Sequence, residues 1–224
     1  MRIFELLDRI PDILWPRRCM FCGGRPEGRG TVCEKCAEKL PFIPADNKRF
    51  PVEFTAGCAC ALRYEGGVRD AVHRYKYGGS WHYFRHFSAL MAANVAARGL
   101  EFDTVTFVPT TARRRKSRGY NPAELLARGL CRRLEIPPPE KLLRKCRETR
   151  QQAGLEAAAR RANVLGAYKA ARGADIAGKR ILVVDDVLTT GATLSECARV
   201  LRMAGAEAVL CATLAHSTGR DKNS

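Results

Sequence analysis

The stretch ILVVDDVLTTGATLSECARVLRMAGA, residues 181–206, decides the fold class of this chain. A run of apolar residues leads into two adjacent acids, Asp185 and Asp186, and then into a Thr/Gly turn. The apolar spacing that follows is typical of an amphipathic helix with Gly205 at its C′ position. The predicted elements are a strand, a helix and a second strand, over 180–184, 192–204 and 208–214. Strands that alternate with helices indicate a parallel α/β sheet flanked by helices.

The acid pair is expected at the edge of this sheet where ligands bind, beyond the carboxyl ends of the strands. The turn that follows offers backbone N–H groups, hydroxyls and the positive end of a helix dipole, which together form a phosphate-sized cradle. The cradle residues are Thr189, Thr190, Gly191, Ala192 and Thr193. Asp185 and Asp186 would accept hydrogen bonds from a diol, so a sugar 5-phosphate fits both groups. With sugar hydroxyls and solvent as partners, the acids would need no buried counter-charge. The alternative is that they are ordinary turn residues.

Composition and charge limit the possible functions. A chain of 224 residues is long enough for one sizeable core plus a small appendage. Its net charge of +16 favours nucleic acid, phosphorylated metabolites or an anionic membrane surface as partners, although some basic proteins are merely soluble. Residues 1–15 have the spacing of a short amphipathic helix, with acids that a secretory signal would not contain. No apolar run approaches the ~20 residues of a membrane span, so we expect a cytoplasmic protein without membrane insertion.

Four of the ten cysteines form the pattern C-x2-C-x10-C-x2-C. Each C-x2-C knuckle sets two thiolates on one turn, and two knuckles complete a tetrahedron around a metal ion. In a reducing compartment this spacing favours structural zinc over a disulfide or redox pair, which is the alternative. The predicted ligands are Cys19, Cys22, Cys33 and Cys36.

Residues 181–193 resemble the signature of the type I phosphoribosyltransferases: an apolar run, two acids, one or two further residues, then T-T-G-x-T. The resemblance implies that Asp185 and Asp186 hold the ribose hydroxyls of phosphoribosyl pyrophosphate and take part in catalysis. It also implies that the cradle holds the 5-phosphate, with Mg²⁺ bridging ligand oxygens. Purine-salvage relatives place an aspartate at the first cradle position, where this chain has Thr189. This difference disfavours ordinary nucleobase salvage.

The order of motifs along the whole chain resembles the ComF family, which is associated with DNA uptake in natural transformation. After the four cysteines come YEGGVRDAVHRYKYGG (64–79), VPTTARRRKSRGYN (108–121) and RETRQQAGLEAAARRANV (147–164). A proline-containing linker over 41–54 and the change in composition after it predict a helix and zinc module over 1–50, a phosphoribosyltransferase-like domain over 51–216 and a disordered tail over 217–224.

The resemblance also assigns roles to the middle motifs. The loop after a strand predicted over 104–109 would hold pyrophosphate, with Arg118, Gly119 and Tyr120 nearest. Lys76 would contact a phosphate. A hood over the active site would supply Arg147 or Arg160 to the leaving pyrophosphate; its matching positions are Arg147, Gln151, Arg160 and Asn163. A basic surface helix is the alternative for that segment.

Five of the six residues over 113–118 are basic, and their role stays open at this point. Arg113, Arg114, Arg115 and Lys116 could follow a single-stranded DNA backbone, clamp pyrophosphate or form a solvated loop. Three functions remain. The first is a phosphoribosyl-pyrophosphate-binding protein of DNA uptake. The second is a binding module whose phosphate pocket senses a nucleotide while the basic surface and zinc module hold single-stranded DNA or a helicase, and the third is an active phosphoribosyltransferase of nucleotide salvage or metabolism with an unidentified acceptor.

Overall fold

The computed structural model describes residues 18–26, 30–46, 50–148 and 162–217. The helix expected within residues 1–15, the tail beyond 217, and the hood positions Gln151 and Arg160 lie outside these ranges.

A four-stranded parallel sheet forms the centre of the fold. The strands of the described residues are β1 Gly57–Arg63, β2 Thr104–Phe107, β3 Leu143–Lys145, β4 Tyr168–Ala170, β5 Arg180–Leu188 and β6 Ala208–His216. In the main sheet they lie in the order β1-β6-β5-β2, and every neighbouring pair is parallel. Strands β3 and β4 form a separate antiparallel pair. The predicted parallel α/β sheet is confirmed.

Helices cover this sheet and connect its strands. The α-helices of the described residues are α1 Glu34–Glu38, α2 Gly66–Tyr77, α3 Phe84–Ala97, α4 Ala112–Arg118, α5 Pro122–Arg133 and α6 Ala192–Met203. Helices α3 and α5 pack on each other and on the sheet, while α6 contacts β4, β5 and β6. Residues Ile181–Val184 of β5 are fully buried, because the strand is central and covered. None of the helices in the described ranges is long and apolar enough to span a bilayer.

The central strand β5 continues four residues past the end predicted from sequence. Its partner β6 keeps pairing, with Asp185 opposite Thr213 and Leu188 opposite His216. Strand β2 stops earlier than predicted, because Val108 donates the last backbone hydrogen bond to Val184, at 3.0 Å, and Pro109 has no N–H to donate. The acid pair therefore lies inside a strand that extends beyond its neighbour, and not in a turn.

The basic stretch predicted as a loop is helix α4. Thr111 caps its start by accepting a hydrogen bond from the backbone N–H of Arg114 at 3.4 Å, and Gly119 ends it in the left-handed region at φ 80°. Arginine and lysine are good helix formers, so a charged run between two such caps is stable as a short helix.

The segment that joins the cysteine module to the sheet crosses the start of α6. Gly191 has a φ of 76°, and a Cβ at this position would overlap the carbonyl oxygen of Pro51. Two residues further on, the backbone N–H of Glu53 donates to Ser195 Oγ at 2.8 Å. Gly191 is thus required twice, for its backbone conformation and for the space that the connecting segment occupies.

Gly191→Ala tests this double requirement. We expect the free energy of unfolding to fall by about 3 kcal/mol, since left-handed strain adds to an overlap with backbone that cannot be relieved by a side-chain rotation. Gly178→Ala is the matched control, because Gly178 has a φ of 70° but no atom within 4 Å of the position that a Cβ would take, so it should cost only about 1 kcal/mol. Equal losses in urea unfolding would show that the Pro51 contact is unimportant.

Candidate functional site

A cavity of about 780 Å³ opens where β5 extends past β2. Its lining residues come from α2, the β2–α4 connection, the β3–β4 pair and the start of α6. It brings together most of the residues predicted for a sugar phosphate: Lys76, Arg118, Asn163, Asp185, Asp186, Thr189, Thr190, Gly191, Ala192 and Thr193. Residues that are distant in sequence therefore share one cavity at the carboxyl edge of the sheet, as expected for this class of fold.

The predicted phosphate cradle lies at the N-terminus of α6. The helix begins at Ala192 after the left-handed Gly191, and no side chain caps its first turn. The first-turn N–H groups of a helix without a side-chain cap are suited to bind an anion. Thr193, the second residue of the helix, is half-buried in the cavity wall.

The acid pair has a counter-charge that sequence reasoning did not expect. Lys76 Nζ lies 2.8 Å from Asp186 Oδ1, with only 20% of the lysine side chain and 14% of the aspartate side chain exposed. Asp186 Oδ1 also accepts a hydrogen bond from the backbone N–H of Val187 at 2.7 Å. The prediction that the pair needs no buried counter-charge is wrong, because the extended strand buries Asp186 against α2.

The two carboxyl groups differ in their electrostatics. Burial, followed by the neighbouring charge of Asp186, raises the pKa of Asp185 to about 7, although Lys76 and the backbone N–H of Asp186 oppose the shift. Burial opposes the charged form of Lys76, but Asp186 outweighs that effect and raises the lysine pKa. Asp186 and Lys76 therefore form an ion pair, while the raised pKa of Asp185 favours its protonated form below about pH 7.

Several cavity residues were not predicted from sequence. Lys145, at the end of β3, places its Nζ 5.1 Å from the ring centroid of Tyr168 on β4. Burial, followed by the charge of Arg114, lowers the pKa of Lys145. Tyr168 is almost fully buried, and its side chain is hydrogen-bonded to that of Thr193. For Lys145 the sequence signal was the alternation of side chains along a strand, which predicts that Lys145 and Leu143 lie on the same face of β3.

Other predicted residues take positions away from this cavity. Arg147 is exposed and donates to the carbonyl oxygen of Leu165 at 2.8 Å. Gly119 ends α4, and the hydroxyl of Tyr120 donates to the carbonyl oxygen of Tyr75. Arg113, Arg115 and Lys116 are exposed and do not line the cavity, whereas Arg114 does. The four basic residues of the run therefore do not act as one group.

The four predicted zinc ligands form one cluster. Their Sγ atoms all lie within 4.8 Å of one another, and Cys22 Sγ is 3.7 Å from Cys33 Sγ. A tetrahedral Zn–S distance of about 2.3 Å implies S···S separations near 3.8 Å, so the cluster fits the ion. Burial opposes ionisation of Cys19, but backbone hydrogen bonds led by that of Cys22 outweigh it and lower the thiol pKa to about 6. The chemistry of the donor set fits structural zinc.

This cysteine module packs on the helix that carries Lys76. Arg74 Nη2 donates to the carbonyl oxygen of Met20, at 2.8 Å, between the first two cysteines. Met20 and Phe21 are buried, and the Phe21 ring lies 6.4 Å from that of Phe87 on α3. The first knuckle is thus fixed to α2 by a charged hydrogen bond and to α3 by aromatic packing.

Comparisons with known proteins agree with this arrangement. The phosphoribosyl transferase domain family matches residues 93–224, and the double zinc ribbon domain family matches residues 10–48. Competence protein F of Haemophilus influenzae is 38% identical over 215 residues, which cover 86% of this chain and 93% of that protein. The chain belongs to the ComF family.

Other relatives of this ComF-family chain include the DNA utilization protein YhgH of Escherichia coli K12, 27% identical over 237 residues that cover 92% of this chain and 99% of that protein. Among solved structures, an allosteric regulatory enzyme of purine biosynthesis aligns at 28% identity and a TM-score of 0.40. That alignment covers 59% of this chain and 25% of the enzyme, so this chain spans about a quarter of the enzyme's length. The ComF resemblance, the phosphoribosyltransferase fold and the four-cysteine zinc module are confirmed.

Asp185→Asn tests the electrostatics of the acid pair. The folded pKa near 7 lies above the unfolded value of about 3.9, so the wild type loses stability as the pH rises between these values. We expect the free energy of unfolding of the variant, measured in urea, to equal that of the wild type at pH 4. At pH 8 it should be about 2 kcal/mol higher than that of the wild type.

The contrasting variant is Asp103→Asn. Hydrogen bonds from Arg180 lower the pKa of Asp103, so its charge stabilises the fold above the unfolded pKa and that contribution is lost as the pH falls. Asp103→Asn should therefore destabilise the protein at pH 8. A loss of stability at pH 8 in Asp185→Asn would contradict the raised pKa.

Proposed function

We propose that this chain binds phosphoribosyl pyrophosphate in the 780 Å³ cavity as part of a role in DNA uptake. The proposal rests on one observation: a single cavity is lined by the cradle at α6, the acid pair on β5 and four cations. The cations are Lys76, Arg114, Arg118 and Lys145. A sugar with a phosphate at one end, a diol in the middle and pyrophosphate at the other end matches these three groups.

Each part of the ligand has a partner of the right chemistry. The 5-phosphate binds the N–H groups and hydroxyls of residues 189–193. The ribose hydroxyls donate to Asp185 and Asp186, which also offer the carboxylate oxygens that Mg²⁺ prefers. When bound, Mg²⁺ supplies neutralising charge to the pyrophosphate. Arg114, Arg118 and Lys145 are the protein cations on the pyrophosphate side.

Transfer of the ribosyl phosphate to an acceptor is the second part of the proposal. The C1–O bond breaks, pyrophosphate leaves with the electron pair, and an acceptor lone pair forms the new bond at C1 while its proton passes to solvent. Positioning and charge neutralisation supply the catalysis. Asp185 and Asp186 are the only acids that line the cavity among the described residues, and Thr189 occupies the first cradle position. With both carboxylates assigned to the ribose hydroxyls, these residues favour an acceptor that needs no side-chain base. They disfavour ordinary purine salvage.

The names of the relatives suggest the biological setting. They include a competence protein and a DNA utilization protein, so we assign this chain to natural transformation in the cytoplasm, with a DNA-uptake helicase as a candidate partner. The net charge of +16 and the exposed side chains of Arg115 and Lys116 on α4 support contact with single-stranded DNA. An active phosphoribosyltransferase of nucleotide metabolism is the alternative, which detection of pyrophosphate release with a defined acceptor would favour.

Calorimetric titration with phosphoribosyl pyrophosphate, with and without Mg²⁺, tests the ligand assignment. We expect binding that strengthens with Mg²⁺ and weakens at least about 100-fold in Asp185→Asn/Asp186→Asn, because both diol acceptors and the metal-binding charges are lost. The control removes two exposed carboxylates elsewhere, Glu101→Gln/Asp175→Asn. Unchanged affinity in a folded acid-pair variant would refute the assignment.

The DNA contact is tested by its dependence on salt. Log affinity for a single-stranded oligonucleotide should fall by about 0.7 per neutralised phosphate per log unit of salt, so Arg115→Ser/Lys116→Ser should reduce the slope by about 1.4. Sugar-phosphate binding should persist, because neither residue lines the cavity. Lys141→Ser/Lys169→Ser removes the same charge from exposed positions elsewhere as a control. An unchanged slope in the α4 variant would rule out this surface.

A further inference from the structure

A second cleft of about 520 Å³ lies between the end of α2 and α4. It shares Lys76, Tyr77, Arg114 and Arg118 with the first cavity, so the two spaces have a common wall. Arg113 and Ser117 line only the second cleft. The proposed sugar-phosphate site is the first cavity, so the residues that line only the second cleft lie outside that site.

The second cleft is suited to an anion. Among the described residues, four cationic side chains line it and no carboxylate does; Asp185 and Asp186 line only the first cavity. Asp186 neutralises Lys76, and Glu148 pairs with Arg113 at 2.7 Å. Arg113 lines only this cleft, so a phosphate that enters it would meet a cation that the proposed pyrophosphate contacts do not use, without repulsion from a carboxylate that lines the cleft.

The wall shared by the two spaces also offers an aromatic surface. The Tyr77 ring is 51% exposed, and the Arg118 guanidinium lies 4.5 Å from its centroid. An arginine held against a tyrosine ring presents a flat, charged surface on which a nucleobase can stack. A phosphate site next to a stacking surface matches the chemistry of a nucleotide.

We propose that the second cleft binds the phosphate group of a nucleotide, adjacent to the sugar-phosphate cavity. The inference rests on the proposed function for the identity of the first ligand, and it deepens that function by naming the class of the second. The acceptor is then a phosphorylated compound and not a free nucleobase, which agrees with the cavity's lack of a further carboxylate, among the described residues, to act as a base.

Glu148 would compete with a bound phosphate for Arg113. Its carboxylate accepts from Arg113 Nε at 2.8 Å and lies 2.7 Å from Nη2, in a pair whose side chains are 77% exposed for Arg113 and 49% for Glu148. Such an exposed pair is weak, so a phosphate dianion can displace the carboxylate from the guanidinium. Removing the negative charge of Glu148 should therefore strengthen nucleotide binding, the opposite of what removing Arg113 does.

The experiment titrates zinc-loaded, full-length protein with 2′-deoxyadenosine 5′-monophosphate, in the absence of phosphoribosyl pyrophosphate and again at saturation with it. We expect nucleotide binding in both conditions, about tenfold weaker in Arg113→Ser and about threefold tighter in Glu148→Gln. Arg132→Ser is the matched control: it removes the same charge from an exposed position on α5 that lines neither cleft, and it should change affinity less than about twofold. Deoxyadenosine without phosphate should bind at least about tenfold more weakly.

Three results would overturn the proposal: equal affinities in Arg113→Ser and Arg132→Ser, equal binding of deoxyadenosine, or competition between the nucleotide and phosphoribosyl pyrophosphate. The last result would assign the second cleft to pyrophosphate. Failure of the proposed function would appear separately, as absence of phosphoribosyl pyrophosphate binding while nucleotide binding keeps its dependence on Arg113. A 5′-phosphorylated deoxytetranucleotide distinguishes the source of the phosphate, since tighter binding than the mononucleotide indicates a strand end and equal binding indicates a free nucleotide.

Discussion

The ion pair between Lys76 and Asp186 is the interaction on which the candidate site depends. It joins the last turn of α2 to the part of β5 that extends past β2, and it does so within the wall of the cavity. Two adjacent carboxylates in a half-buried strand would repel each other strongly without a cation nearby. The lysine offsets this repulsion by pairing with Asp186. Asp185 is left to bind a ligand, a metal ion or a proton. Loss of the pair would both open the cavity wall and destabilise the strand end.

Sequence reasoning predicted those features that are encoded within short segments. The cradle, the start of α6 and the cysteine cluster each depend on residues at fixed spacing along the chain, so periodicity and motif spacing were sufficient. The features that it missed depend on contacts between distant segments. Lys76 pairs with Asp186, which lies 110 residues further along the chain. Lys145 reaches the cavity because β3 pairs with β4, a partner that no local pattern of Leu143–Lys145 specifies.

The boundary of β5 shows the same limit. An acid pair after an apolar run is typical of a strand that has ended, because carboxylates seldom occupy central strands. The pairing of β6 as far as His216 overrides that preference and carries the acids into the sheet. Helix α4 illustrates the reverse case, in which a run predicted as an irregular loop is ordered by two local caps, Thr111 and Gly119. That ordering distributes the basic residues over different surfaces, so their roles separate.

The contact between the first zinc knuckle and α2 has a thermodynamic consequence. A cysteine cluster of this kind gains its folding free energy from the metal, and the knuckle that it organises holds the backbone carbonyl of Met20 against Arg74. Arg74 and Lys76 lie two residues apart on one helix. For the ligand proposed to contact Lys76, metal occupancy and ligand affinity would therefore be linked: each would stabilise the position of α2 that the other requires, and linkage would make the effect reciprocal. A ligand that closes on Lys76 would slow the loss of zinc to a chelator.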